Sequence, residues 1–121
     1  MRAVVLHEHG DIENLKYHED YADPKCLEGQ VVITVKATSL NYHDVFTTKG
    51  MPGIKVPLPI VIGLDISGEI SQIGAGVNGW SVGDRVLVNP LDPVTPEKGL
   101  MGEMLDGGTA ELCAVEATRL I

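Results

Sequence analysis

The stretch Ile73–Gly74–Ala75–Gly76–Val77–Asn78–Gly79–Trp80–Ser81–Val82–Gly83–Asp84–Arg85–Val86 decides between two folds. Gly74, Gly76 and Gly79 match the GxGxxG fingerprint of dinucleotide-binding folds. That fingerprint works because a helix begins at the glycines and aims its first N–H groups at a pyrophosphate. No helical period follows here. Trp80, Ser81 and Val82 lead within a turn to Gly83 and then to the strand-like run Arg85–Val88. The segment therefore reads as a tight turn joining two strands. Asp84 opens the second strand, and Arg85 is expected to pair with a nearby carboxylate.

The flanking sequence agrees. Between Gly50 and Gly108 the longest run free of glycine and proline is six residues, Asp84–Asn89. A normal helix needs about ten residues, and an interior Pro or Gly costs it about 3 or 1 kcal/mol. The middle of the chain thus holds no ordinary helix, which excludes a helix bundle and a doubly wound sheet built across it.

Further out, Arg2–Leu6 and Leu15–Tyr21 read as strands separated by a turn at Gly10–Asp11. Gln30–Thr38 is the clearest strand, with Val31, Ile33, Val35 and Ala37 on one face. Asn41–Lys49 is the one good helical segment: Asn41 is an N-cap, Asp44 lies in the first turn, and Lys49–Gly50 ends it. A proline-rich crossing, Met51–Pro59, precedes short strands near Ile60–Gly63, Asp65–Ile73 and Arg85–Asn89. A long loop to Gly108 leads to a last strand at Thr109–Val115. Many short strands with β-branched enrichment predict a mainly β fold, a partly open barrel or rolled sheet with one or two short helices.

The chain has 121 residues, 44% of them hydrophobic, and a formal charge of −8 from 17 acids and nine bases. The length allows one domain, and the acidic balance argues against a nucleic-acid or anionic-membrane partner. Four apolar residues after Arg2 are too few for a signal peptide. The most apolar window, Val56–Ile62, is broken by Pro57 and Pro59. Cys26 and Cys113 stand alone without a CxxC, as suits a reduced chain with packed thiols. A soluble, cytoplasmic protein is expected.

Several motifs together resemble the N-terminal GroES-like domain of the medium-chain dehydrogenase/reductase superfamily. They are Ser39–Leu40–Asn41–Tyr42–His43–Asp44, Pro59–Ile60–Val61–Ile62–Gly63–Leu64–Asp65–Ile66–Ser67–Gly68, Ile73–Val86, and Gly107–Gly108–Thr109–Ala110–Glu111. The nearest likeness is to quinone oxidoreductase-like and alcohol dehydrogenase-like members, and it covers essentially the whole chain. It implies that residues 1–121 are a substrate-side domain. It also implies that the family's C-terminal Rossmann domain, which binds NAD(P)H, is absent from this chain. The isolated chain is then expected to be inactive, and the unfinished run at Arg119–Ile121 favours a truncation.

In the family's zinc enzymes a Cys opening the short helix and a His in a G-H-E step hold catalytic zinc. The matching positions are Asn41 and Leu64, with Asp65 in place of the Glu. Leu has no donor atom and an amide is a poor zinc ligand. Asp44 matches a residue that orients the ligating His, and without that His it is expected to cap the helix or bond nearby backbone. The loop Pro90–Asp106 lacks the four Cys of the structural zinc, so its prolines would supply the stiffness. Both zincs are expected to be absent.

Zinc-free relatives pass hydride to activated acceptors such as quinones, enones or enoyl thioesters, polarising the carbonyl with hydrogen bonds. Asn41 is then the first candidate, donating to a substrate carbonyl or to the nicotinamide ribose, or simply capping the helix. His43 stands where zinc members place a hydroxyl that contacts the substrate, so it is a candidate general acid; an exposed helix histidine is the plainer reading. Tyr42 and Phe46 share a helix face, more in keeping with core-and-rim packing than with a pocket for a flat acceptor. His7, His9 and His18 include an HxH pair, but with no third ligand in spacing a solvated strand face fits better. The competing function is a non-enzymatic GroES-like interaction module; an alcohol dehydrogenase-like reductase is the competing enzyme. The implied partners are a small-molecule substrate and, through an exposed apolar cleft face, further copies of the chain.

Overall fold

The computed structural model describes all residues from Met1 to Ile121. Seven strands form: β1 (Ala3–Leu6), β2 (Leu15–His18), β3 (Gln30–Ser39), β4 (Ile60–Val61), β5 (Asp65–Ile73), β6 (Arg85–Val88) and β7 (Leu112–Glu116). One α-helix, α1 (Tyr42–Lys49), and three short 3-10 turns at Ile12–Asn14, Pro96–Lys98 and Ala117–Arg119 complete the chain. The expected scarcity of helix between Gly50 and Gly108 holds, the Pro96–Lys98 turn being the one helical piece there.

The strands make two antiparallel sheets, one in the order β2-β1-β4 and one in the order β6-β5-β3-β7. Residues 109–111 stitch them together: Val4 N–H donates to the Thr109 carbonyl at 2.9 Å, and Glu111 N–H to the Arg2 carbonyl at 3.0 Å. The result is rolled but not closed into a barrel. β3 is the spine, with Val31, Val32 and Ile33 all fully buried. Val31 and Ile33 join Ile66, Ile70, Val86, Val88, Met101, Cys113 and Val115 in the main core. Each such aliphatic side chain contributes about 1.5–3 kcal/mol on burial. Gly68 lies where β5 crosses the irregular part of β3, and a Cβ there would run into the Thr34 carbonyl.

The glycine-rich decoy is a turn. β5 ends at Ile73, β6 begins at Arg85, and Val77 and Trp80 between them pack onto the core. Asp84 accepts the Ser81 N–H at 2.8 Å, as a turn residue should. Arg85 departs from expectation. It stands opposite Glu69 in the β5–β6 register, but Glu69 lies 3.8 Å from Lys36 instead, and Arg85 forms no ion pair. β2 is shorter than its apolar pattern suggests, because Tyr21 exchanges backbone bonds with Met1 at 2.7 and 2.8 Å outside the ladder.

The long loop before β7 is held by polar side chains more than by its prolines. Asp92, fully buried, accepts from Val94 N–H at 2.9 Å, Thr95 Oγ1 at 2.9 Å and Thr118 Oγ1 at 2.7 Å. Arg119, also fully buried, donates to the Pro90 carbonyl at 2.7 Å, the Gly99 carbonyl at 3.1 Å and Glu116 Oε2 at 3.1 Å. Its planar fork thus ties the start and the middle of the loop to the end of the strand that follows. Both cysteines are free, Cys113 buried and Cys26 half-buried.

Candidate functional site

β3 and β5 bring Ser39 and Asp65 opposite each other in the register, and Asn41 follows immediately at the start of α1. Asp65 Oδ2 accepts from Ser39 Oγ at 2.6 Å and from Asn41 Nδ2 at 2.8 Å. These bonds, Ser39 first and Asn41 second, hold the Asp65 carboxyl below the usual carboxylate range. Asn41 is also the N-cap: its backbone is extended, its carbonyl accepts the Asp44 N–H at 3.0 Å, and its own N–H donates to Asp44 Oδ2 at 2.8 Å. One carboxamide N–H is therefore committed to Asp65 while the second remains available, since Asn carries two.

Asp44 does cap the helix, as expected. It is buried, and its second oxygen, Oδ1, has no partner. Leu64, where the resemblance implies a His for it to orient in zinc enzymes, offers no donor.

The helix is inverted relative to an ordinary amphipathic one. Asp44, Thr47 and Thr48 face inward, while Tyr42, Val45 and Phe46 face out. Tyr42 is 83% and Phe46 53% exposed, which corrects the expected core-and-rim packing. Polar bonds dock the inner face in place of apolar contact. His9 Nδ1 lies 2.9 Å from the Thr47 carbonyl, and Gly10 N–H donates to the Thr48 carbonyl at 2.9 Å.

His43 is not the exposed helix histidine of the plainer reading. Its side chain is about three-quarters buried, with Nε2 2.5 Å from Glu103 Oε2 in a contact poorly aligned for a hydrogen bond. Glu103 itself is buried. Nothing in the sequence pairs a residue of the long loop with the helix; the contact follows from the loop folding back across α1.

Two open hollows flank this cluster. One, of about 480 Å³, runs between the Gly10–Leu15 turn and α1, and Asn41, Asp44 and Lys49 line it with Ile12 and Leu40. The other, of about 620 Å³, is bordered by Ser39, Asp65, Asn89 and Ile121. The donor set at the helix start does not fit zinc: Leu64 has no ligand atom, and the Asn41 amide nitrogen is turned to Asp65. No three His, Cys, Asp or Glu side chains come together to hold a metal. A dinucleotide pyrophosphate has no seat in these residues either, since Gly74–Gly79 opens no helix.

Two rolled antiparallel sheets, with a single short helix starting at a polar cluster beside open hollows, define a GroES-like β domain. The Alcohol dehydrogenase GroES-like domain family matches residues 27–121, and the chain belongs to it, as the N-terminal domain type of the medium-chain dehydrogenase/reductase superfamily. Similar proteins include the NADPH-dependent alkenal/one oxidoreductase, chloroplastic, of Arabidopsis thaliana, 34% identical over 96% of this chain and 29% of that protein. The quinone oxidoreductase of Lama guanicoe is 40% identical over 72% of this chain and 26% of its own length. Among solved structures, a cobalt- and zinc-bound thermostable alcohol dehydrogenase from Pyrobaculum aerophilum superposes with a TM-score of 0.85 at 30% identity. That match covers 100% of this chain and 40% of the other. The chain thus spans well under half the length of each of these relatives. No helix is long and apolar enough to cross a membrane.

Proposed function

We propose that residues 1–121 are the substrate-side domain of a zinc-independent, NAD(P)H-dependent oxidoreductase that reduces a quinone, an enone or a related carbonyl-activated acceptor. In this reading the cofactor is bound mainly by a further domain, and these residues alone are inactive. Relatives with such names and greater length support it. The observation that carries it is the Asn41 carboxamide, fixed by Asp65 at the place where a zinc enzyme would put a metal ligand.

A nicotinamide cofactor, held mainly by the further domain, would supply a hydride when bound. The free Asn41 N–H donates to the acceptor's carbonyl oxygen, where negative charge develops as the hydride arrives. Ser39 and Asp65 keep that amide from rotating, so little reorganisation is needed at the moment of reaction. His43, backed by Glu103, holds the proton that completes the reduction. Tyr42 and Phe46 cover the flat face of the acceptor from the exposed side of α1.

The test uses the longest natural polypeptide containing this domain. Asn41→Ala is expected to lower kcat for a quinone or enone by about 10²-fold, the usual cost of one oxyanion donor, with the melting curve checked alongside. Metal analysis of the same preparation is expected to find no stoichiometric zinc. An unchanged kcat would remove Asn41 from the mechanism. Zinc at one per chain, with activity lost on chelation, would overturn the zinc-independent reading.

A further inference from the structure

The HxH spacing does not describe the histidines in three dimensions. His9 is occupied by the Thr47 carbonyl, whereas His7 meets His18 across the β1–β2 hairpin, Nε2 to Nε2 at 2.8 Å. In the register His18 pairs with Ala3, and Ala3, Val5 and His7 alternate onto one face, so His7 and His18 share that face. His7 lies just past the ladder, four residues beyond Ala3, and the two side chains lean toward each other to close the remaining distance. The rings sit 5.1 Å apart between centroids, and the His18 ring is steadied by an edge contact with Tyr21 at 5.4 Å.

We propose that His7 and His18 form a chelating pair for a borderline divalent cation, copper(II), nickel(II) or zinc(II), at the surface of the β1–β2 hairpin. Two metal–nitrogen bonds of about 2.0–2.1 Å at a tetrahedral angle put the nitrogens roughly 3.3 Å apart. The rings therefore need to part by only about half an ångström from their 2.8 Å contact. In the metal-free form the two Nε2 atoms share one hydrogen, one ring donating and the other accepting. On binding, the donating ring shifts its hydrogen from Nε2 to Nδ1, the accepting ring already carries its own on Nδ1, and both Nε2 lone pairs then face the cation.

No third His, Cys, Asp or Glu joins the pair, so water or an outside ligand completes the shell and the ion exchanges freely. Lys16, on the same face opposite Val5, opposes a cation. Glu8, Glu19 and Asp20 flank the histidines in the chain, and the formal charge of −8 favours one. Imidazole-only coordination selects copper over nickel and zinc, and excludes magnesium and calcium. The bound ion would staple the short edge strand β2 to the end of β1. None of these residues belongs to the α1 site.

The test is a titration of tag-free chain with copper(II) and zinc(II), followed by calorimetry and by the histidine ring resonances. One equivalent is expected to bind, with copper broadening His7 and His18 before His9 and His43. His7→Ala and His18→Ala are each expected to weaken binding by more than the ~10–100-fold that loss of an outer-shell partner costs a metal site. His9→Ala should leave it unchanged. Absence of one-to-one binding, equal broadening of all four histidines, or equal loss in His9→Ala would each overturn the proposal.

Discussion

Replacing Asp92 with asparagine tests how the loop before β7 is held. The Asp92 carboxylate is fully buried and takes three hydrogen bonds, from Val94 N–H and the hydroxyls of Thr95 and Thr118. Burial alone would raise its pKa; the bonds from Thr118, Val94 and Thr95 outweigh that and hold it at about 2 instead of 3.8. A carboxyl whose pKa falls this far on folding contributes on the order of 2 kcal/mol. Because the folded value is the lower one, that stability is complete above pH 3.8 or so and is lost as the pH falls toward about 2. Asp92→Asn removes the charge and turns an amide N–H₂ toward groups that themselves donate. The variant is expected to be about 2 kcal/mol less stable near neutral pH, lowering the melting temperature by roughly 5–10 °C for a domain of this size. Urea unfolding of both proteins at several pH values reads the effect, and the gap should shrink as the pH drops through about 3. A gap that persists undiminished at low pH would show that the carboxylate's charge is not its source. A negligible gap at neutral pH would show that Asp92 does not hold the loop.

Arg119→Met leaves Glu116 and the Pro90 and Gly99 carbonyls without their buried donor, so a loss of about 3–5 kcal/mol is expected in urea melts. Arg119→Lys keeps the charge but not the fork and should recover only part of it; wild-type stability in either variant refutes the clamp. Burial, with the Asp106 charge adding to it, pushes the Cys113 thiol up to about 12. A disulfide reagent is therefore expected to titrate one thiol, Cys26, in the native chain and both after unfolding. Equal rates for the two in the native state would contradict the burial of Cys113.

The strands were legible because their apolar residues alternate and their ends carry Gly or Pro. Gln30–Thr38 and Asp65–Ile73 match β3 and β5 to within a residue. The rejected GxGxxG was legible for the same reason, since Gly83 leaves no room for a helix. Asn41 and Asp44 as caps followed from the local pattern. The contacts that build the site are long-range and left no such trace. Ser39 meets Asp65 across the β3–β5 ladder, 26 residues away in the chain, in a register that two mutually offsetting irregularities between Val32 and Ala37 interrupt and then restore. Glu103 reaches His43, and Arg119 reaches Pro90 and Gly99, through a loop with no periodicity to read. The proline content of that loop suggested where stiffness is needed, but not that a buried carboxylate and guanidinium provide much of it.

The reading of Tyr42 and Phe46 failed for an instructive physical reason. It assumed that a helix on a small β domain docks by its apolar face, which is the usual way to bury surface. Here α1 docks by its polar face. Its N-terminus is closed by Asn41 and Asp44, its last turn accepts bonds from His9 and Gly10, and Thr48 Oγ1 bonds back to the Asp44 carbonyl at 2.7 Å. Leaving Asp44 Oδ1 buried and unpartnered costs about 1–3 kcal/mol, so the arrangement is not the one stability alone would select. What it leaves free is a face bearing Tyr42, Val45 and Phe46 beside the Asn41–Asp65 cluster. In the proposed reaction, that apolar face would give a flat, electron-poor acceptor a surface to lie on, and the Asn41 amide a hydrogen bond at one edge. The polar docking of α1 is thus what lets a mainly β domain of this size present both.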